Sequence, residues 1–191
     1  MPSPERIKQE AESSGGVWSP WSQDNYLLGR TFGSGGVCTP LAVVFLRLQA
    51  TREGHFNSYV TSTEGRDDVM QLKLQQMKDP TKNAADYLKI FGLKCAFKRT
   101  SDSESDILNY LSLPGYYLLG ISNIESGSTK EISGHALAIV NASPNFFFFD
   151  PNYGAGAWNN AAAMTGFIKK YWKNVYQELR GVPKIERYFK R

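Results

Sequence analysis

One cysteine of this chain lies where its thiol could become reactive. Cys38 follows the glycine-rich residues 33–36 and precedes Pro40 and a strongly apolar stretch, so it falls at the predicted start of a buried helix. Unpaired N–H groups and the positive end of the helix dipole lower the pKa of a thiol at that position, which favours the thiolate. A thiolate is a nucleophile for acyl-transfer chemistry, although a free cysteine is also a common core residue.

A histidine and an aspartate are predicted to meet at one end of a β-hairpin. His135 begins a core strand over residues 135–140, and Asp150 follows a strand over residues 146–149. The connecting turn is short, so the strands pair antiparallel and Asp150 returns to the end of the sheet where His135 lies. An imidazole there could act as a general base, and the carboxylate could orient it. A structural histidine and a well-formed turn after Asp150 would explain the same residues separately.

Together, the cysteine, the histidine and the aspartate indicate a catalytic triad more strongly than any one of them indicates catalysis. Cys38, His135 and Asp150 supply the parts of a Cys-His-Asp triad, in the chain order of papain-like enzymes. We therefore expect Cys38 to be the nucleophile, His135 the general acid and base, and Asp150 its orienting partner. This chemistry requires no metal or organic cofactor.

The elements that must position these residues indicate an α+β fold. Helices are predicted from residue 38 onward and over residues 68–78 and 83–91, before the antiparallel strands. Residues 160–180 predict a later amphipathic helix, and residues 185–189 an edge strand. Helices first and an antiparallel sheet later are typical of α+β proteins, with the helical part carrying the nucleophile and the sheet carrying the histidine and the aspartate.

Length and composition exclude several classes of protein. The 191 residues include two Cys and two His, too few for a disulfide scaffold or a His-rich metal centre. No apolar run is long enough to span a membrane. Residues 1–16 are polar and predict a flexible segment rather than a standard secretory signal peptide, which leaves residues 17–191 as one domain.

The charge balance is mildly basic. Lys and Arg number 22 against 18 Asp and Glu, for a net charge of +4. Basic residues gather towards the C-terminus: Lys169, Lys170, Lys173, Lys184, Arg187, Lys190 and Arg191. Because nucleic-acid-binding proteins usually carry a denser patch, we expect a solvated face and no nucleic acid partner, although this face could contact an anionic membrane surface.

Three motifs give the chain a resemblance to a known family. Residues 36–38 (Gly-Val-Cys), 134–139 (Gly-His-Ala-Leu-Ala-Ile) and 148–154 (Phe-Phe-Asp-Pro-Asn-Tyr-Gly) resemble those of the YopT/AvrPphB-type cysteine proteases. The resemblance implies a papain-like fold and a secreted bacterial virulence factor that acts on a protein in the target-cell cytoplasm. It implies the same three catalytic roles for Cys38, His135 and Asp150. We expect the protein to act as a monomer.

The sequence departs from papain-like enzymes at the oxyanion donor. Such enzymes usually place a Gln or Asn a few residues before the cysteine, where its side chain stabilises the oxyanion, and here that stretch holds none. The backbone N–H of Cys38 is one natural donor. The candidates for a second donor are Asn25, Gln23 and Ser34, in that order.

The predicted function is a cysteine endopeptidase that hydrolyses an amide bond of a target-cell protein through this triad. The same three residues also serve glutamine deamidases and transglutaminase-like acyl transferases, because a triad does not by itself select the acyl acceptor. A third alternative is a catalytically inactive binding module that keeps the cleft.

Overall fold

The computed structural model of the protein describes residues 3–26, 36–78, 84–101, 104–124, 131–175 and 183–190. The helices in these ranges are α1 (Pro4–Ser13), α2 (Cys38–Thr51), α3 (Phe56–Thr61), α4 (Thr63–Lys78), α5 (Ala84–Ile90), α6 (Glu104–Leu111) and α7 (Ala161–Val175). The strands are β1 (Val17–Pro20), β2 (Leu93–Thr100), β3 (Gly115–Ile124), β4 (Glu131–Ala142), β5 (Asn145–Asp150), β6 (Gly154–Trp158) and β7 (Lys184–Lys190).

The strands form one sheet of seven in the order β1-β6-β5-β4-β3-β7-β2, and each neighbouring pair is antiparallel. The predicted edge strand over residues 185–189 is instead interior, as β7 between β3 and β2. Ile185 and Tyr188 are both fully buried, each in the core on a different face of the sheet. A strand that buries side chains on both faces is typical of a sheet interior.

The alternation of side chains along the strands divides the core into two layers. On one face, Leu118 and Ala138 join the core that surrounds α2. On the other face, Tyr117 and Ile139 join the core formed with α1, α6 and α7. The sheet thus separates the helix that begins at Cys38 from the helices packed behind it, because successive side chains of a strand point to opposite faces.

The helix α2 is buried on nearly all sides, as its sequence predicts. Its buried residues include every position from Leu41 to Leu48. Pro40 lies in the first turn, where a missing backbone N–H costs no helical hydrogen bond. The helix ends at Thr51, and the next residue, Arg52, caps it with a φ of 61°, in the left-handed region.

The prediction of a flexible segment over residues 1–16 is wrong, since Pro4–Ser13 form α1. The side chain of Ser3 accepts a hydrogen bond from the backbone N–H of Arg6, and Pro4 occupies the first turn. Ile7 and Ala11, four residues apart, are buried in the core on the α7 side of the sheet. This polar segment folds because one narrow apolar stripe is enough to dock it, so the compact unit begins before residue 17.

The basic residues near the C-terminus are distributed over two elements. Lys169, Lys170 and Lys173 lie on the exposed side of α7, whereas Lys184 and Arg187 lie on β7. The Arg187 guanidinium donates hydrogen bonds to the Pro114 carbonyl, at 2.6 Å from one nitrogen and 3.1 Å from another. In the described part of the chain, every helix is too short or too polar to cross a membrane.

Candidate active site

The local backbone places Cys38 at the first residue of α2. Gly36 has a φ of +47°, a left-handed conformation that favours glycine, and turns the chain into the helix. The N–H of Leu41 donates to the Val37 carbonyl at 3.0 Å, which closes the first helical turn. The Cys38 side chain is largely buried, and its Sγ lies 4.0 Å from the carbonyl oxygen of Gly134, which precedes His135 in β4.

The predicted hairpin is confirmed, and it joins His135 to Asp150. Strands β4 and β5 pair antiparallel, with Ala138 opposite Phe149. This register returns Asp150 to the end of β4 that carries His135. The Nε2 nitrogen of His135 lies 2.9 Å from Oδ1 of Asp150, whose side chain is fully buried.

The use of Nε2 by the aspartate decides which imidazole nitrogen is left for the thiol. Because Nε2 is engaged by Asp150, Nδ1 is the nitrogen of His135 that can face Cys38. An N–H at Nε2 donates to the carboxylate and fixes the tautomer, so Nδ1 can accept the proton of the thiol. The arrangement can therefore convert a thiol and a neutral imidazole into a thiolate and an imidazolium.

The electrostatics of the pair favour the charged forms of both partners. Burial opposes ionisation of the Cys38 thiol, but the hydrogen bond and charge of His135 outweigh it and lower the pKa of the thiol. Burial likewise opposes the imidazolium, but the charge and hydrogen bond of Asp150, together with Cys38, raise the pKa of His135 to about 10. Both pKa shifts favour an ion pair between a Cys38 thiolate and a His135 imidazolium.

Of the three candidate oxyanion donors, the structure places Gln23 beside the nucleophile turn. Its Oε1 accepts a hydrogen bond from the Val37 N–H at 3.2 Å, and its Nε2 donates to Oδ1 of Asn152 at 2.6 Å. These contacts hold the amide group between the residue before Cys38 and the turn after Asp150. The side chain of Asn25 and the whole of Ser34 lie outside the described residues.

A cleft of about 340 Å³ opens beside Cys38 and His135. Its other lining residues include Thr39, Gln76, Gly120 and Lys184. Gly120 lies on β3 and has no side chain, so the cleft reaches the surface of the sheet at this point. A substrate chain could approach the thiol along this cleft.

Two buried polar residues near the site were not predicted from the sequence. Lys73 is buried on α4, one helical turn before Gln76 of the cleft. Burial lowers the pKa of Lys73, and the negative charge of the Cys38 thiolate acts in the opposite direction. Tyr171 on α7 donates a hydrogen bond to Oδ2 of Asp150 at 2.7 Å. Lys73 shares the buried face of α4 with Gly65 and Val69, and Tyr171 lies on the inner face of the amphipathic helix α7. A polar residue at such an inner position was the available sequence signal.

The fold is that of papain-like cysteine proteases. The avirulence protein AvrPphB of Pseudomonas superposes with a TM-score of 0.58 at 15% identity, over 80% of this chain and 91% of that one. A second solved structure is PatoxP, a cysteine protease-like domain of the Photorhabdus asymbiotica toxin PaTox. It has a TM-score of 0.48 at 13% identity and covers 97% of this chain and 57% of that chain. No curated protein matches the chain.

A family match assigns the chain to one family of peptidases. Residues 89–184, just over half of the chain, match the Peptidase C58 family, described as the Yersinia/Haemophilus virulence surface antigen. The chain belongs to this family, which confirms the resemblance noted from its motifs. The matched region contains His135 and Asp150 and begins after Cys38, which lies outside it.

Proposed function

We propose that this protein is a cysteine endopeptidase, a bacterial effector that is secreted and cleaves a protein in the cytoplasm of a target cell. Cys38 is the nucleophile, His135 the general acid and base, and Asp150 the residue that orients His135. The carrying observation is the 2.9 Å contact between Nε2 of His135 and Oδ1 of Asp150, which leaves Nδ1 for the thiol. Membership of a peptidase family of virulence antigens supports the same assignment.

The first half of the reaction forms a thioester. The Cys38 thiolate attacks the carbonyl carbon of a substrate amide, and the carbonyl electron pair moves to oxygen. The backbone N–H of Cys38 and the Gln23 amide receive that oxyanion. The imidazolium of His135 then gives its Nδ1 proton to the leaving amine as the carbon–nitrogen bond breaks.

The second half restores the enzyme. A water molecule gives a proton to Nδ1 of His135 while its oxygen attacks the thioester carbonyl. Collapse of this intermediate breaks the carbon–sulfur bond and releases a carboxylic acid product, with Cys38 again as the thiolate. Throughout, Asp150 holds Nε2–H and stabilises the positive charge on the imidazole.

The proposal is tested on proteins of a target-cell extract. The wild-type protein and Cys38→Ala are incubated with the extract, and new protein N-termini are labelled and identified by mass spectrometry. We expect new termini that depend on Cys38 and that share a sequence preference around the cleaved bond. Glutamine side chains heavier by about one mass unit, without new termini, would identify a deamidase instead and would contradict the endopeptidase assignment.

A further inference from the structure

The phenol of Tyr171 reaches the aspartate of the site from behind the sheet. Its hydroxyl donates to Oδ2 of Asp150 at 2.7 Å. Both side chains are almost completely buried, with 1% of Tyr171 and 0% of Asp150 exposed. A hydrogen bond to an ionised group in so dry an environment is stronger than one between neutral groups.

The hydrogen bonds to Asp150 are divided between its two oxygens. Oδ1 accepts from His135 Nε2 at 2.9 Å and from the Asn152 backbone N–H at 2.7 Å. Oδ2 accepts from Tyr171. The phenol therefore holds one oxygen in place while the other faces the imidazole, so the carboxylate plane is fixed from both sides.

The ring of Tyr171 is itself held by aromatic packing. Its centroid lies 4.8 Å from that of Phe148 in an edge-to-face arrangement, and 5.3 Å from that of Phe167. Trp18 of β1 packs at 6.3 Å. A ring enclosed in this way keeps its hydroxyl in one position, which is what a group that orients another must do.

We propose that Tyr171 is a positioning residue of the active site, whose hydroxyl keeps Asp150 charged and turned towards His135. Tyr171 acts on Cys38 only through these two side chains, and its role rests on the proposed function of the triad. This contact connects the layer behind the sheet to the nucleophile in front of it.

The consequence of removing the Tyr171 hydroxyl depends on the titratable groups that face Asp150. They are His135 from β4, Tyr153 from the turn after β5 and Tyr171 from α7, and Cys38 lies beyond His135. Burial and the Asp150 charge both raise the pKa of Tyr153, so this phenol remains neutral. Without the Tyr171 hydroxyl, the buried carboxylate loses the hydrogen bond to its Oδ2, so it is held less firmly and stabilises the imidazolium less.

The experiment compares Tyr171→Phe with Tyr117→Phe in a Cys95→Ser background. Tyr117 is a matched control, because it is fully buried in the same core layer and its hydroxyl donates to backbone carbonyls, at 2.7 Å from the Tyr110 oxygen. The rate of alkylation by iodoacetamide is measured by intact mass against pH, and urea unfolding is measured in parallel. We expect Tyr171→Phe to slow alkylation about threefold to tenfold near pH 6 and to move the acid limb to higher pH. Tyr117→Phe should leave the profile unchanged.

The outcomes distinguish a failure of the role proposed for Tyr171 from a failure of the proposed function. Profiles for Tyr171→Phe and Tyr117→Phe that both match the parent would overturn the positioning role. A parent protein without rapid, His135-dependent alkylation at low pH would instead overturn the proposed function itself. If Tyr171→Phe does not fold, site-specific 3-fluorotyrosine at position 171, a stronger donor of nearly the same shape, should move the acid limb to lower pH. An unmoved limb would again overturn the role.

Discussion

The two cysteines of this chain occupy opposite electrostatic settings. Cys38 begins a buried helix beside an imidazole, and its thiol pKa is lowered. Cys95 lies on the edge strand β2, where its Sγ is 3.6 Å from the Phe97 carbonyl oxygen. Burial and the nearby charge of Glu186 raise the pKa of the Cys95 thiol. The surroundings therefore favour the thiolate at Cys38 and the neutral thiol at Cys95.

The difference shows that burial is not what activates Cys38. Burial favours the neutral thiol at both positions, yet the pKa of Cys38 is lowered and that of Cys95 is raised. What distinguishes Cys38 is His135, which is in turn kept charged by Asp150. The contrast between the two thiols should therefore depend mainly on the histidine and the aspartate, with smaller contributions from the backbone N–H groups of Thr39 and Ala136 at Cys38 and from Glu186 at Cys95.

The largest effect is expected from His135→Ala. Without the imidazolium, burial raises the pKa of the Cys38 thiol against only the backbone N–H groups of Thr39 and Ala136, so its alkylation near pH 6 should slow by about 100-fold or more. Alkylation of Cys95 should not change. His55→Ala is the control, because His55 is exposed at the start of α3. A loss of less than about tenfold in His135→Ala would show that His135 is not what distinguishes the Cys38 thiol from the Cys95 thiol.

Gln23→Ala should separate catalysis from thiol activation. Loss of an oxyanion donor is expected to slow cleavage of a substrate by about 100-fold. Alkylation of Cys38 involves no oxyanion and should keep its rate and pH profile. The matched control is Gln75→Ala, an exposed position of α4. Equal losses in cleavage and alkylation would show that Gln23 supports the fold of the turn instead.

Asp150→Asn should act on the basic side of the pH profile. Because the carboxylate raises the pKa of His135, its loss should lower that pKa by about 1 to 3 units. The imidazolium is then lost at a lower pH, so the basic limb of cleavage moves down. NMR titration of labelled histidines measures this directly, with His55 as the internal reference. An unchanged His135 titration would contradict the role of Asp150.

The smallest effect is expected from Cys95→Ser. This thiol is half-buried at the margin of the core around α2, and its hydrogen bond to the Phe97 carbonyl is weak, so the free energy of unfolding should change by about 1 kcal/mol or less. Cleavage should stay within about twofold of the wild type. Urea unfolding and a cleavage assay check both values, and a large loss of activity would show that Cys95 contributes to the site.

The parts of the site that depend on local sequence could be predicted. The strands around His135 and Asp150 are joined by a short turn, so their pairing follows from the sequence between them. The helix start at Cys38 follows from the glycines before it and from Pro40 after it. In both cases the information lies within a few residues of the group concerned.

The parts that depend on long-range contacts could not be predicted. Gln23 was ranked below Asn25, because only the folded chain places its amide between Val37 and Asn152. In the sequence, Tyr171 looks like any other inner residue of an amphipathic helix. Its contact with Asp150 joins α7 to the end of β5 and forms only in the folded chain. The helix α1 was missed because it buries only Ile7 and Ala11.

The most direct test places both thiols in competition within one wild-type molecule. The folded protein is treated with limiting iodoacetamide across a range from about pH 5 to pH 9, and the alkylated fractions of Cys38 and Cys95 are read from their separate peptides. If His135 holds Cys38 as a thiolate, Cys38 dominates at low pH and its advantage shrinks as Cys95 ionises. Equal reactivity at low pH, or an advantage of Cys38 that only grows with pH, would contradict a thiolate held by His135.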